Sequence, residues 1–231
     1  MVYVEAAVRR RQLVASARSV LMRDGVARTS LRAIAEEAGI PLGTLQYVFP
    51  SKELLLRAVI EDVVEELAAL LKEDVELGSG LEGAIRHGVR AFWSGLVAEE
   101  RDLQLMQYEL TTYALRTAGQ EDLARWQYER YCTVVAEWLQ EAADNAGETS
   151  AVPCARLGRM MVAVMDGLIL QRICDPDASR SRGDLDAMVE MIVGLTGVRE
   201  GRGRPRDCSA MFSMNLMPAH HRGRMVRSSV S

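Results

Sequence analysis

Apolar residues recur every three or four positions along most of the chain, which is the spacing of one face of an α-helix. Near the N-terminus this pattern predicts three short helices: one that ends before Gly25, one over residues 31–38 and one that ends before Pro50. A tight turn containing Gly39 separates the last two. Two short helices around a tight turn are typical of the helix-turn-helix, whose second helix enters the major groove of DNA. The pattern therefore predicts a DNA-binding head over residues 1–51.

Six longer helices are predicted in the remainder of the chain. They cover residues 52–76, 81–99, 102–117, 123–146, 153–173 and 184–195. No segment of useful length alternates apolar and polar residues as a half-buried strand would. We therefore predict an all-α fold of about nine helices, with residues 52–198 as a second, helical domain.

Charge is distributed unevenly among these segments, although the whole chain of 231 residues carries a formal net charge of only −4. Residues 1–57 have a net charge of +4, residues 58–198 of −13 and residues 199–231 of +5. A basic head joined to an acidic body is expected of a small anion-binding module attached to a domain with another role. The alternative is that these charges lie on ordinary solvent-exposed surfaces that differ in the sign of their charge. Residues 199–231 lack helical periodicity and are rich in Gly, Arg, Ser and Pro, so we predict a disordered basic tail.

Several function classes are disfavoured by the residues available for chemistry. The four cysteines are widely separated, a pattern that favours a reducing, cytoplasmic compartment and disfavours a zinc site. His87 is the only histidine of the predicted second domain, and no nucleophile–base motif occurs. No apolar stretch approaches the ~20 residues of a membrane span, and residues 1–11 do not resemble a secretory signal. We therefore predict a protein without catalytic activity, cofactor, metal or membrane partner.

The outward face of the predicted third helix carries side chains that suit DNA. Gly43 permits a close approach of the backbone to another molecule. The hydroxyls of Thr44 and Tyr47 suit phosphate oxygens, and the amide of Gln46 can pair with an adenine edge. Lys52, at the start of the next helix, is placed to reach a phosphate beside that helix's N-terminal amides. The alternative is a plain helical corner with a polar rim.

Residues 29–55, TSLRAIAEEAGIPLGTLQYVFPSKELL, resemble the N-terminal signature of the TetR-type transcriptional regulators. The resemblance implies a DNA-binding head, an effector-binding helical body and DNA contacts from seven positions. These positions are Ser30, Arg32, Leu42, Gly43, Thr44, Tyr47 and Lys52. Three residues depart from the family pattern, which commonly has serine in place of Pro41, an aromatic residue in place of Gln46 and histidine in place of Val48. We expect Gln46 to shift the preferred operator sequence.

Aromatic and amphipathic residues are concentrated on the predicted sixth and seventh helices, and the resemblance implies an effector site between helices four and eight. An aromatic cavity with a few polar groups suits a small apolar or amphipathic molecule. The predicted effector contacts are Trp93, Tyr108, Thr112, Tyr113, Trp126, Met161 and Met165. For each of these residues the alternative is a place in the core. Asp166, an acid within an apolar run, has two interpretations, a paired structural role or a contact to a polar effector group.

The predicted eighth helix is apolar on nearly every side, so it must be buried on two faces. The resemblance implies that helices eight and nine pair with their copies in a four-helix bundle, which would make the protein a homodimer. In the tail, the segment Arg202–Arg206 is similar to the core of an AT-hook, which inserts arginine into narrow minor grooves. The alternatives for this segment are nonspecific attraction to phosphate and simple disorder.

These features together predict a homodimeric DNA-binding transcriptional regulator, more specifically a repressor that a ligand releases from a near-palindromic operator. One alternative is a ligand-independent or architectural DNA-binding protein. The other is an all-α small-molecule-binding protein or enzyme, which the absence of a catalytic motif disfavours.

Overall fold

Nine α-helices account for most of the residues that the computed structural model describes, which are 2–73, 79–98 and 100–200. They are α1 Val2–Asp24, α2 Leu31–Glu37, α3 Leu42–Val48, α4 Lys52–Glu73, α5 Gly80–Phe92, α6 Arg101–Arg116, α7 Glu121–Ala146, α8 Cys154–Cys174 and α9 Ala178–Thr196. A π-helix, Trp93–Val97, follows α5, and two short strands, β1 Glu148–Thr149 and β2 Arg199–Glu200, pair antiparallel. The predicted all-α fold is confirmed, and no helix of the described residues is both long and apolar enough to span a bilayer.

The three N-terminal helices form the head around a small apolar core. Val20 and Ile34 are fully buried between α1 and α2, and Leu45 is the buried side chain of α3. The side chain of Ser30 caps α2 by accepting a hydrogen bond from the amide of Ala33 at 3.2 Å. Helix α1 also packs against α4 and α6, so the head rests directly on the body.

Helix α7 is the central element of the body, because it packs against α4, α5, α6 and α8. Helix α9 covers α8 and α5 on the other side. The start of α5 is held by Glu148 of β1, whose carboxylate accepts a hydrogen bond from the amide of Leu81 at 2.7 Å. A carboxylate at this point also favours the positive end of the helix dipole.

Two helices differ from the predicted boundaries. Helix α9 begins six residues earlier than residue 184, because Asp177 caps it by accepting a hydrogen bond from the amide of Arg180 at 2.9 Å. The predicted fifth helix is divided at Phe92, where the backbone changes to i→i+5 hydrogen bonding and the amide of Ala98 donates to the carbonyl of Trp93 at 2.8 Å.

The predicted tail begins within the described residues but extends beyond them. Its first two residues, Arg199 and Glu200, pair with Thr149 and Glu148. Residues 201–231, which include the AT-hook-like segment Arg202–Arg206, lie outside the described residues.

Candidate DNA interface and effector cavity

A short connection joins α2 to α3 with the geometry of a helix-turn-helix. Gly39 has a φ of +65°, a left-handed conformation that other residues adopt at a cost. The amide of Ile40 donates to the carbonyl of Ala35 at 3.0 Å, which closes the end of α2. Pro41 precedes α3 and supplies no side-chain cap, although its carbonyl accepts a hydrogen bond from the amide of Thr44 at 2.9 Å.

The outward face of α3 is open to solvent. Gly43, Gln46 and Tyr47 are exposed, and Tyr47 keeps 89% of its surface accessible. A Cβ atom built on Gly43 meets nothing within 4 Å, so another molecule can approach the backbone there. Leu42 and Thr44 are half-buried at the edge of this face. A large aromatic side chain with this exposure contributes little to the core and suits a contact surface.

Helix α2 presents two more of the predicted DNA contacts. Ser30 is exposed at its first turn, where its side chain caps the helix, and Arg32 is exposed two residues further on. Both side chains are therefore accessible to a phosphate backbone.

Lys52 does not have the position expected of a phosphate contact. Its Nζ donates a hydrogen bond to the carbonyl of Val26 at 2.7 Å and lies 4.8 Å from the ring centre of Tyr113. Burial lowers the pKa of Lys52. The sequence prediction places Lys52 within reach of a phosphate beside the N-terminal amides of its helix, whereas the structure directs the ammonium group inward, between the α1–α2 turn and α6.

Val26 is the centre of a contact between head and body, which we call the coupling cluster and define as Val26, Lys52, Glu109 and Tyr113. The amide of Val26 donates to Oε2 of Glu109 at 2.8 Å, while its carbonyl accepts from Lys52. Both polar backbone atoms of a fully buried residue are therefore bonded to side chains of the body. Because Glu109 and Tyr113 lie on α6, a displacement of that helix acts directly on the α1–α2 turn.

The body contains a mostly apolar cavity with a volume of about 110 Å³. It lies between α4, α5, α6, α7 and α8, and Leu96 of the π-helix closes part of its wall. Its volume is close to that of engineered apolar cavities of about 150 Å³ that bind benzene. The cavity therefore suits a molecule with about one ring.

Three of the seven predicted effector contacts line this cavity: Tyr108, Met161 and Met165. Thr112 is exposed and its hydroxyl donates to the carbonyl of Tyr108, in its own helix, at 2.9 Å. Tyr113 belongs to the coupling cluster. Neither residue is among those that line the cavity.

The remaining two predicted contacts, Trp93 and Trp126, also lie outside the cavity and are covered by arginines. The guanidinium of Arg57 lies 4.6 Å from the ring centre of Trp126, and that of Arg172 lies 5.9 Å from the ring centre of Trp93. In each pair the guanidinium lies over the face of the indole ring, as in a cation–π contact.

The sequence interpretation missed a polar network on the cavity wall that joins α6 to α7. The hydroxyl of Tyr131 donates to Oε1 of Gln107 at 2.7 Å, and Nε2 of Gln127 donates to the same oxygen at 3.3 Å. The hydroxyl of Thr111 lies 3.2 Å from Oε1 of Gln127. Glutamines in amphipathic helices give no sequence signal of their own, because the same residues occur equally on solvated faces.

Two nitrogen atoms of the cavity wall have no hydrogen-bond partner in the described structure, although both are buried. They are Nε2 of Gln107 and Nε1 of Trp138. Since buried donors are normally paired, each indicates an acceptor that a bound molecule or water provides.

Asp166 lies on the cavity wall with tyrosines around it. Burial raises the pKa of its carboxyl, and a hydrogen bond from Tyr128 partly offsets that effect. The hydroxyl of Tyr108 donates to the main-chain oxygen of Asp166 at 2.7 Å. Burial, together with the negative charge of Asp166, also raises the pKa of Tyr108, Tyr128 and Tyr131, so all three phenols remain protonated donors.

Helices α8 and α9 leave a continuous pattern of small and apolar residues uncovered in the single chain. The exposed positions, spaced by four and three residues on each helix, are Ala163, Gly167 and Leu170 on α8 and Ala187, Met191 and Gly194 on α9. A Cβ on Gly167 or Gly194 meets nothing within 4 Å. Gly158 has a different role, since a Cβ there would lie 3.1 Å from backbone atoms of Cys132 and Ala136 on α7, within the same chain.

Comparison with known proteins identifies both parts of this structure. A family model described as bacterial regulatory proteins of the tetR family matches residues 13–59, and one described as a tetracyclin repressor-like C-terminal domain matches residues 80–195. The chain belongs to the TetR family. The two matches cover the helix-turn-helix of this TetR-family protein and helices α5 to α9 of its body, and the family is one of transcriptional regulators that bind DNA.

Relatives of this TetR-family protein extend over most of its length. The nicotine-responsive transcriptional repressor HdnoR of Paenarthrobacter nicotinovorans is 32% identical over 191 residues, which cover 82% of this chain and 96% of HdnoR. The transcriptional regulator TtgR of Pseudomonas putida is 26% identical, over 80% of this chain and 90% of TtgR. The crystal structure of a transcriptional regulator from Rhodococcus sp. Rha1 has a TM-score of 0.63 at 20% identity, over 81% of this chain and 97% of that one.

Proposed function

We propose that this regulator is a repressor that binds a near-palindromic operator as a homodimer and is released when a small organic molecule fills the cavity of the body. In this proposal residues 1–51 hold the operator, while residues 52–198 bind the effector and the second subunit. The observation that carries it is the double role of α6, which supplies Gln107, Tyr108 and Thr111 to the cavity and Glu109 to the coupling cluster.

The DNA contacts in this proposal come from the exposed faces of α2 and α3. Arg32 and the hydroxyl of Tyr47 suit phosphates, and Gly43 allows the backbone of α3 to approach the groove. Gln46 is exposed and can pair with two atoms of an adenine edge. Ser30, Leu42 and Thr44 complete the surface. Lys52 is not part of it, because its ammonium group is engaged by Val26.

Release requires that the effector bind more tightly to the conformation that does not fit DNA. Typical coupling free energies between two sites are about 1–3 kcal/mol, which correspond to roughly 5- to 150-fold in DNA affinity. An effector that displaces α6 alters the hydrogen bond from Val26 to Glu109. Helix α4 begins at Lys52, another member of the coupling cluster. Both helices therefore transmit the change to the head.

A homodimer through α8 and α9 places two heads on one operator. The exposed stripes of small residues permit close helix approach, and apolar side chains such as Leu170 and Met191 supply area to bury. Two heads related by a two-fold axis match a palindrome with half-sites one helical turn apart. The relationship to HdnoR, which is named as a nicotine-responsive repressor, supports a small organic effector.

The experiment that tests this proposal begins with selection of an operator from a random pool of duplex DNA by the full-length protein. We expect a near-palindromic consensus. The Gln46→Ala variant should lose preference at one base position of each half-site, by about 1–3 kcal/mol, with little change in nonspecific affinity. Gln140→Ala, the same change on an exposed position of α7, should leave the selected sequence unchanged.

Two outcomes would contradict the proposal. Selection that yields no preferred sequence at moderate salt would show that the protein is not an operator-specific regulator. A consensus with a single half-site, bound by one chain, would contradict the dimeric arrangement.

A further inference from the structure

The cavity contains a single group with a formal charge. Among the described residues that line it, Asp166 is the only carboxylic acid, and none is a lysine, arginine or histidine. The carboxyl is partly buried and accepts a hydrogen bond from the phenol of Tyr128, and its charge also acts on the neighbouring phenols of Tyr108 and Tyr131. A carboxylate in such surroundings is costly unless a positive charge compensates it.

The wall around this acid is aromatic. Phe92, Tyr128, Tyr131 and Trp138 all line the cavity. Aromatic faces attract organic cations as well as aromatic rings, and they do so most strongly where water is excluded. Among the described lining residues there is no cationic side chain to pair with an anionic ligand, which Asp166 would repel.

A second, independent observation concerns hydrogen-bond donors. The indole nitrogen of Trp138 is unpaired although the side chain is only 6% exposed. The amide nitrogen of Gln107 is unpaired as well, and its oxygen already accepts hydrogen bonds from Tyr131 and Gln127, which fix the orientation of the amide. Two unpaired donors in the wall favour a ligand that carries a hydrogen-bond acceptor besides its charge.

We propose that the effector is a small organic cation of about one ring, whose protonated amine pairs with Asp166 and whose acceptor atom receives hydrogen bonds from Gln107 or Trp138. This inference rests on the proposed function, since it names the chemical class of the molecule that the cavity binds. The cavity volume of about 110 Å³ matches an occupant with about one ring.

The proposal can be tested with four matched compounds and the full-length protein. The compounds are 4-methoxybenzylamine, its neutral analogue 4-methoxybenzyl alcohol, its anionic analogue 4-methoxybenzoate, and benzylamine, which lacks the acceptor. Binding is measured by isothermal titration calorimetry at pH 7. We expect the methoxy amine to bind at least tenfold more tightly than the alcohol, the benzoate to bind most weakly, and benzylamine to bind more weakly than the methoxy amine.

The Asp166→Asn variant keeps the size of the side chain and removes its charge. It should lower the affinity for 4-methoxybenzylamine at least tenfold and leave the affinity for the alcohol within about twofold. Asp184→Asn, at an exposed position of α9, is the matched control and should change neither value. Circular dichroism of each variant checks that it is folded, and Asp166→Glu, which keeps the charge, should retain the preference for the amine.

Three results would overturn the proposal: equal affinity of the wild-type protein for amine and alcohol, an unchanged amine preference in Asp166→Asn, or no binding of the amine at millimolar concentration. Gel shifts on the selected operator separate this proposal from the proposed function. If a cation binds through Asp166 but does not release the protein from DNA, the proposed ligand release is wrong and the proposed ligand class stands. If a neutral compound releases DNA and the effect does not depend on Asp166, the proposed ligand class is wrong and ligand release stands.

Discussion

Oε2 of Glu109 accepts a hydrogen bond from the backbone amide of Val26 at 2.8 Å, across 83 positions of sequence. The same glutamate lies beside Gly25, where a Cβ atom would be 2.9 Å from Oε2. The contact fixes the turn between α1 and α2 to the helix that forms one wall of the cavity. In the proposed function, it connects a ligand in the cavity physically to the DNA-binding head.

We expect Glu109→Ala to uncouple the two sites. The buried amide of Val26 loses its acceptor, which should lower the free energy of unfolding by about 1–3 kcal/mol, as measured by urea denaturation. The operator affinity without ligand should change little. The factor by which a saturating concentration of the tightest-binding test compound weakens operator binding should fall towards one, as measured by gel shift.

Glu129→Gln is the control for this prediction, because Glu129 is exposed on α7. It should preserve both stability and ligand response. A full ligand response in folded Glu109→Ala protein would show that the signal reaches the head through α4 rather than through this hydrogen bond.

Lys52→Met separates two roles for the lysine at the start of α4. Because its ammonium group bonds to the carbonyl of Val26, the variant should lose about 1–2 kcal/mol of stability. The salt dependence of operator binding should stay unchanged. Loss of a phosphate contact would instead reduce the magnitude of the negative slope of log K against log salt by about one. The exposed Arg32 provides the comparison, since Arg32→Met should reduce the magnitude of that slope. The same reduction in Lys52→Met would show that Lys52 contacts a phosphate, as the sequence predicts.

Gly88→Ala should close the cavity from its α5 side. A Cβ atom at this position would overlap Cζ2 of Trp138 and lie 3.3 Å from Cδ2 of Leu71, so the indole, which lines the cavity, must shift. We expect the test compounds to bind at least tenfold more weakly, as measured by calorimetry. The variant should still bind the operator normally, but addition of ligand should no longer weaken that binding.

The control for this change is Gly183→Ala on α9, where an added Cβ meets nothing within 4 Å. Replacement of a helical glycine with alanine at an unobstructed site stabilises a protein by about 0.4–1 kcal/mol, so this variant should gain stability and keep its affinity for ligand. Unaltered ligand affinity in Gly88→Ala would show that the test compounds bind elsewhere.

The helices were predictable wherever one face of the helix is apolar. The apolar spacing of α4 and α7 is regular, and their boundaries agree with the sequence to within a few residues where the structure describes them. The first turns of α9 were not predicted, because residues 178–184 contain Ser, Arg and Gly without apolar periodicity. Their helix depends on the cap from Asp177, a signal that periodicity does not include.

The members of the cavity were only partly predictable. Residue type selects aromatic side chains, and both Tyr108 and Trp126 satisfy that criterion, but only Tyr108 lines the cavity. The arginine that covers Trp126 is Arg57, which is 69 positions away in sequence. Tertiary packing decides which aromatic residue pairs with a cation and which lines a cavity. The spacing of residues within one helix does not determine this packing.

Asp166→Asn should make the protein more stable at neutral pH. Burial raises the pKa of this carboxyl above its ordinary value of 3.8, so the folded state holds the proton more tightly than the unfolded state does. Well below pH 3.8 the group is protonated in both states, and its contribution to the pH dependence of stability vanishes. As pH rises, the unfolded chain loses the proton first, and the wild-type protein loses stability until the pH passes the folded pKa.

The difference between variant and wild type isolates this effect from the other carboxyls. Urea denaturation from pH 3.5 to 8 should give a stability gain for Asp166→Asn that is small at the acid end and constant at the neutral end. The asparagine can still accept the hydrogen bond from Tyr128. A gain that does not vary with pH, or a loss of stability at pH 7, would show that the carboxylate is compensated by another group.

Leu170→Glu tests the proposed dimer. Leu170 is 49% exposed on α8, and it follows the exposed Gly167 on the same helix face. In the proposed dimer the variant would bury two carboxylates without partners, and the desolvation free energy of these charges opposes association. Sedimentation velocity should therefore show a dimer for the wild-type protein and a monomer for the variant. Leu115→Glu, at a position of α6 that is 60% exposed, should remain dimeric.

Operator affinity depends on two linked heads, so Leu170→Glu should also bind the palindrome far more weakly while each half-site contact is intact. A variant that remains a dimer would place the subunit interface on another face of the body.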